Sequence, residues 1–228
     1  LRPFDPQEKV IEYRLAAAAP PALAASSLAA FSEAVASDRV TPGGGAAAAY
    51  VATLGAALGT MAANLTAHRR APGDLWEPFS AIARRGEALR SDLLQLVDDD
   101  AAAFQRLLAA RRLPRGTAEG KKRRLAAIQQ ALRAATEVPL QVMEKAVAAF
   151  DVLAMVIEQG LPPARTDAAV GVLCARAAAR AAFLNVAANT ALIEDEQYRA
   201  AALHKGNALL EEAKRWEGEL LGAEEPKK

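Results

Sequence analysis

Val40 to Ala67 run for 28 residues without one charged side chain. A stretch of that length must either enter a bilayer or be surrounded by other parts of its own chain. Its content favours the second course. It is mostly Ala, Gly and Thr with few Leu or Val, so its drive to insert is weak, and it opens on the turn-forming run Thr41-Pro42-Gly43-Gly44-Gly45. The remainder carries Gly55-x-x-x-Gly59, side chains small enough to let a neighbouring helix approach the backbone. The segment therefore reads as a helix at the centre of a helical bundle, with a membrane span as the alternative.

Composition agrees. The chain has 228 residues, 52% hydrophobic and 24% charged, enough for one globular domain with a packed core. Aromatics at 5% and abundant alanine argue against a β-sandwich or barrel. Twenty-eight basic against 27 acidic residues leave a formal charge of +1, which provides no bulk attraction for a phosphate backbone and argues against a nucleic-acid partner. Cys174 is the sole cysteine and His68 and His204 the only histidines, too few for a disulfide framework or a structural zinc site. A reducing, cytoplasmic setting fits that inventory.

The expected fold is all-α: one bundle of about five to six helices, one of them long and kinked. Residues 1–25 read as a connector, punctuated by Pro3, Pro6 and Pro20-Pro21 with a short apolar anchor at Val10-Ile11-Glu12-Tyr13, and residues 26–228 as the helical domain. The chain opens on Leu1, as an internal piece of something longer would. Ser27 is placed to cap a first helix bearing Leu28, Phe31 and Val35, and the charge-free helix follows. From Asp74 to about Ala110 the spacing of Phe79, Ile82, Leu89, Leu93, Val97, Phe104 and Leu107 predicts a long third helix. A fourth runs from about Leu125 to Ile157 and contains Pro139, which removes an N–H and costs ~3 kcal/mol unless the bend is accommodated. Thr166 is placed to cap a fifth helix, and a sixth spans about Glu196 to Leu220.

Few residues stand out chemically. Of the acidic run Asp98-Asp99-Asp100, only Asp100 keeps the apolar stripe, three residues after Val97 and four before Phe104. An inward carboxylate must be paired, hydrogen-bonded or neutral, and suits either proton transfer or a structural salt bridge. Asn185 and Asn189 share one helix side, where they serve a heterocyclic ligand or simply a helix contact. Thr166-Asp167 reads first as an N-cap. Gly43-Gly44-Gly45 before a helix is an anion-binding turn without the features of a nucleotide fingerprint. Arg69-Arg70 and Lys121-Lys122-Arg123-Arg124 are the cationic spots, and Cys174 reads as core.

Taken in order, these residues resemble a known family. Thr41-Pro42-Gly43-Gly44-Gly45 with Asn64-Leu65-Thr66, then Asp98-x-Asp100-Ala101-x-x-Phe104, follow the pattern of the cyclodeaminase/cyclohydrolase domain at the C-terminus of formiminotransferase–cyclodeaminase. So do Leu113-Pro114-Arg115-x-Thr117-x-Glu119-x-Lys121-x-Arg123-Arg124, Val138-Pro139-Leu140, Asp167 and Asn185-Val186-x-x-Asn189. The similarity covers roughly Ser26 to Leu220. Phe4-Asp5-Pro6-x-Glu8-Lys9-Val10-Ile11-Glu12-Tyr13 resembles the segment joining the formiminotransferase half to this domain. Departures are Ala46 where the family usually has Ser, His68 near a usual Gly, Thr166 in place of Ser, and Gly160-Leu161-Pro162-Pro163-Ala164-Arg165 in place of a Gly-Asn-rich loop.

The resemblance implies a dimeric, or higher even-numbered, helical enzyme that converts 5-formiminotetrahydrofolate to 5,10-methenyltetrahydrofolate and ammonia, in histidine degradation and one-carbon metabolism. It needs no metal or redox cofactor, and its folate substrate can be polyglutamylated. Asp100 and Asp167 are then the proton-transfer pair, the glycine turn (Gly43, Gly44, Gly45) with Lys121, Arg123 and Arg124 holds the glutamate tail, and Asn185 and Asn189 meet the pterin. Methenyltetrahydrofolate cyclohydrolase is the alternative activity, and an inactive helical assembly domain the alternative of another class.

Overall fold

A computed structural model describes residues 22–68 and 76–222. The connector anchor at residues 10–13 and Arg69-Arg70 lie outside the described residues. Six helices follow a 3-10 turn at Leu23–Ala25: α1 (Leu28–Ala36), α2 (Gly44–His68), α3 (Trp76–Arg111), α4 (Ala118–Gln159), α5 (Pro162–Thr190) and α6 (Glu196–Leu221). No strand occurs among the described residues.

The helix starts follow local chemistry. Ser27, Thr117 and Asp195 each accept a backbone N–H with their side chains, at Ala30, Gly120 and Tyr198. α5 departs from the expectation: it begins at Pro162, with Leu161 as N-cap, so Thr166-Asp167 lies inside the helix instead of capping it. A proline at the first helical position lacks only an N–H that would be orphaned anyway and arrives with helical φ, so Pro162-Pro163 initiates a helix here. α4 runs unbroken through Pro139, which is buried in its interior. α1 has no buried residue, and Leu28 is 71% exposed.

α2, α3, α4 and α5 form an antiparallel bundle, with α6 laid over α4 and α5. α2 is the central helix; it contacts α3, α4 and α5, and Ala46, Ala49, Ala52, Ala62 and Ala63 are fully buried. Its small side chains do what their spacing promised. A Cβ on Gly55 would stand 3.0 Å from the Gly171 carbonyl oxygen and 3.1 Å from the Ala175 nitrogen, so α2 and α5 touch backbone to backbone. α2 and α5 are each long and apolar enough to cross a membrane, yet most of the apolar window of α2 is buried inside the bundle. Larger side chains, Phe79, Leu93, Met143, Phe150 and Leu153, fill the space around it.

Candidate active site

The N-terminus of α2, the middle of α3 and the C-terminal end of α5 meet around a cavity of about 220 Å³. Gly43, Gly44, Gly45, Asp100, Asn185 and Asn189, singled out separately along the sequence, all line it.

Asp100 lies at the mouth of α2. Its carboxyl is half-buried, and that burial pushes it above the ordinary carboxylate range, against the pull of the Ala46 N–H at the helix start. No cation lies within salt-bridge distance of it among the described residues, so the salt-bridge role weighed from the sequence is not what the fold builds. The glycine turn explains how the carboxyl comes so close. A Cβ on Gly45 would overlap the Asp100 carboxylate, whereas Gly44 faces open space and Gly43 has only the Val40 carbonyl at 3.9 Å. Of the three glycines only Gly45 is demanded by sterics. The anion facing this helix start is therefore Asp100 itself, and the turn belongs to the same end of the site as the asparagines.

Asn185 donates through Nδ2 to the Ala181 carbonyl on its own helix (3.0 Å), and Asn189 donates to the Ala135 carbonyl of α4 (2.8 Å). Each amide thus has one N–H fixed by backbone and keeps its second N–H and its carbonyl oxygen for other use. Phe104 and Ala135 complete the wall opposite the turn, with Val40 and Thr41 at the lip. Gln105 donates to the Thr41 hydroxyl (3.2 Å) and ties that lip to α3. Phe104 was legible, since it lies one helical turn after Asp100 and shares its face; nothing in the sequence marks Ala135.

Other expected residues lie elsewhere. Asp98 does not simply face solvent: the backbone N–H groups of Leu23 and Ala24 donate to its carboxylate at 2.6 and 3.4 Å, pinning the 3-10 turn to α3. Lys121 and Arg123 are exposed on the first turns of α4, and Arg124 donates to the Arg111 carbonyl (3.0 Å) at the end of α3. From Ala135 back to Lys121 is fourteen residues of α4, about 21 Å along the axis. The cations and the glycine turn, assigned above to one anionic tail, are thus far apart. Asp167 is half-buried near the start of α5, and Asn185 near its end; eighteen residues separate them, about 27 Å. Within one chain Asp100 and Asp167 do not share a cavity. Among the described residues no cluster of His, Cys, Asp or Glu is placed to hold a metal ion.

Fold and site together define an all-helical domain with a small pocket walled by one half-buried carboxyl and two amides. The formiminotransferase-cyclodeaminase family model matches residues 27–208, and the chain belongs to that family. Formimidoyltransferase-cyclodeaminase of Rattus norvegicus is 34% identical over 229 residues, covering 100% of this chain and 42% of that protein. This chain thus spans well under half the length of that relative. Methenyltetrahydrofolate cyclohydrolase of Methylorubrum extorquens is 37% identical over 183 residues, covering 80% of this chain and 88% of that protein. Among solved structures, formiminotetrahydrofolate cyclodeaminase of Thermotoga maritima superposes with a TM-score of 0.75 at 25% identity, covering 87% of this chain and 97% of that one.

Proposed function

We propose that this chain is a formimidoyltetrahydrofolate cyclodeaminase, which closes 5-formiminotetrahydrofolate to 5,10-methenyltetrahydrofolate with loss of ammonia. One observation carries the reading: the cavity that collects Gly45, Asp100, Asn185 and Asn189 in a member of this family. The substrate's bridging nitrogen attacks the formimino carbon, a five-membered ring closes, and ammonia leaves the tetrahedral carbon. One proton must leave the attacking nitrogen and one must reach the departing amine. A half-buried carboxyl with a raised pKa holds its proton to higher pH than a free one and is suited to deliver it. Asp100 takes that role, with Asn185 and Asn189 orienting the pterin edge and Phe104 offering an apolar wall. Because the reaction is intramolecular, holding the two nitrogens in near-attack geometry supplies a large part of the rate.

The cavity of about 220 Å³ receives the ring end of the folate, and the remainder extends along the α3–α4 hairpin toward Lys121 and Arg123. The reading further includes a cytoplasmic enzyme, a symmetric dimer or a multiple of it, and residues 1–25 as a connector from a formiminotransferase domain. Purified protein given 5-formiminotetrahydrofolate should release ammonia and form the absorbing methenyl product. No product at saturating substrate would sink the reading. The cyclohydrolase is a second reading, favoured by the nearly full-length match to the Methylorubrum protein; hydrolysis of the methenyl compound as the only fast reaction would select it.

A further inference from the structure

An α-helix joins the N–H of each residue to the carbonyl four residues before it, and inside α4 that rule fails at Pro139. Proline has no N–H to give, and its ring crowds the carbonyl of residue i−4. The carbonyl so released is that of Ala135, a residue 8% exposed. A buried carbonyl without a partner is unfavourable, and here the partner comes from another helix. Asn189, in the last turn of α5, donates to it through Nδ2 at 2.8 Å. Ala135 and Asn189 both line the Asp100 cavity, so the break in the α4 ladder opens onto the site.

We propose that Pro139 is a positioning residue of this site: by leaving the Ala135 carbonyl free, it fixes which end of the Asn189 amide faces the cavity. A carbonyl oxygen only accepts, so the Nδ2 end of Asn189 is the one that can meet it. The amide is then unable to turn over, and its Oδ1 and one N–H are left for a ligand. Asn185 is held in the same sense by the Ala181 carbonyl at 3.0 Å, but that acceptor lies four residues back on its own helix, where any α-helix provides one. At Asn189 the acceptor is free because residue 139 is proline. Two amides anchored by their nitrogens present two carbonyl oxygens, and a ligand edge bearing N–H groups, such as the pterin edge, is their complement. That last step rests on the cyclodeaminase reading; the unit of Pro139, Ala135 and Asn189 does not.

The end of α5 does not depend on this bond for its place. Gln129 of α4 donates to the Leu192 carbonyl (3.2 Å) and accepts from the Glu194 N–H (2.9 Å), and Arg133 pairs with Asp195 at 2.6 Å. Restoring an N–H at position 139 should therefore change how the amide is held and not where the helix lies.

A double-mutant cycle on the full chain tests the unit. Urea unfolding reads the bond itself. Pro139→Ala supplies the missing N–H, so it should favour the folded state about tenfold more in the Asn189→Ala background, where the Ala135 carbonyl is otherwise orphaned, than in the parent. Additive effects on stability overturn the unit whatever the enzyme does, and because this arm needs no substrate, a parent that makes no product sinks the cyclodeaminase reading without touching it. Turnover of 5-formiminotetrahydrofolate reads the use of the bond. Pro139→Ala should lower kcat/KM about tenfold in the parent, chiefly through kcat because a turned amide still binds the ring but no longer holds it in near-attack geometry, and should hardly lower it in Asn189→Ala. Equal losses in the two backgrounds would mean that the proline acts through the bend of α4, and would overturn the positioning role. Stability coupling with no loss of kcat/KM at Asn189→Ala overturns the ligand step alone. Asn189→Asp, nearly isosteric but without an N–H, covers the case of a Pro139 variant that does not fold: it should lose activity as Asn189→Ala does, and full activity overturns the proposal.

Discussion

Asp100 could be separated from its neighbours by counting along α3, because one residue of rotation moves a side chain by 100°. That count set Asp100 on the apolar stripe but was blind to what Asp98 meets, since the partner N–H groups belong to residues 75 and 74 positions away. The distinction makes a test. General acid–base catalysis is worth ~10²–10⁴-fold, so Asp100→Asn should lower turnover by about that factor with folate binding nearly retained. Stability should move in the direction opposite to that of a salt-bridge loss. A folded-state pKa raised by burial means that ionised Asp100 opposes folding; the penalty grows as pH rises through the ordinary carboxylate range and is complete above the raised value. Asp100→Asn should therefore match the parent in acid and equal or exceed its melting temperature at neutral pH. Asp99→Asn, whose carboxylate only accepts from Gln95 at 3.1 Å, should change neither turnover nor melting. A marked loss of stability at Asp100→Asn would show that an unseen cation pairs with it.

Helix identity was legible where apolar residues keep a period, as along α3 from Phe79 to Leu107, and less so at ends governed by backbone chemistry. The start of α4 at Ala118 precedes its first large apolar residue, Leu125, by nearly two turns, because Thr117 caps it and the intervening residues face water. The start of α5 was missed because Pro162-Pro163 reads as a break and here opens a helix. Close approach between helices was legible from small residues, and two glycines now make opposite predictions. Alanine exceeds glycine in helix propensity by ~1 kcal/mol. At Gly218, in α6 with nothing within 4 Å, Gly218→Ala should raise stability by ~0.5–1 kcal/mol. At Gly55 the nearest atoms are the backbone of Gly171 and Ala175 at 3.0 and 3.1 Å, which cannot rotate away. Gly55→Ala must part α2 from α5, and overpacking of ~1–3 kcal/mol outweighs the propensity gain. Urea unfolding of both variants checks the pair; a stabilised Gly55→Ala would mean that the two helices are not in contact in solution.

Across the whole molecule, the paired α3 and α4 run from the Asp100 pocket to the cationic end at Lys121 and Arg123, and between the two lies a cavity of about 490 Å³ lined by Arg106, Ala109, Leu113, Ala127 and Ala131. The sequence shows both ends but not the span between them, which exists only because the chain reverses at residues 112–117. The cations are also misplaced for helix stability. Lys121 and Lys122 lie close to the positive end of the α4 dipole, where a positive charge is unfavourable by a few tenths of a kcal/mol or more. A ligand whose acidic end lies ~21 Å from its ring end would relieve that repulsion, and a γ-glutamyl chain extends a folate in that direction. Lys121→Ala/Arg123→Ala should therefore raise KM for a polyglutamylated substrate by about tenfold, the equivalent of ~1.4 kcal/mol from two exposed ion pairs at low salt, and leave kcat unchanged. For the monoglutamate, whose acid stops short of α4's first turns, KM should hardly move, and the difference between the two substrates should shrink as salt is added. Equal losses for both substrates would place the tail somewhere other than along this hairpin, and Arg124, held by the Arg111 carbonyl, would then be part of a helix junction alone.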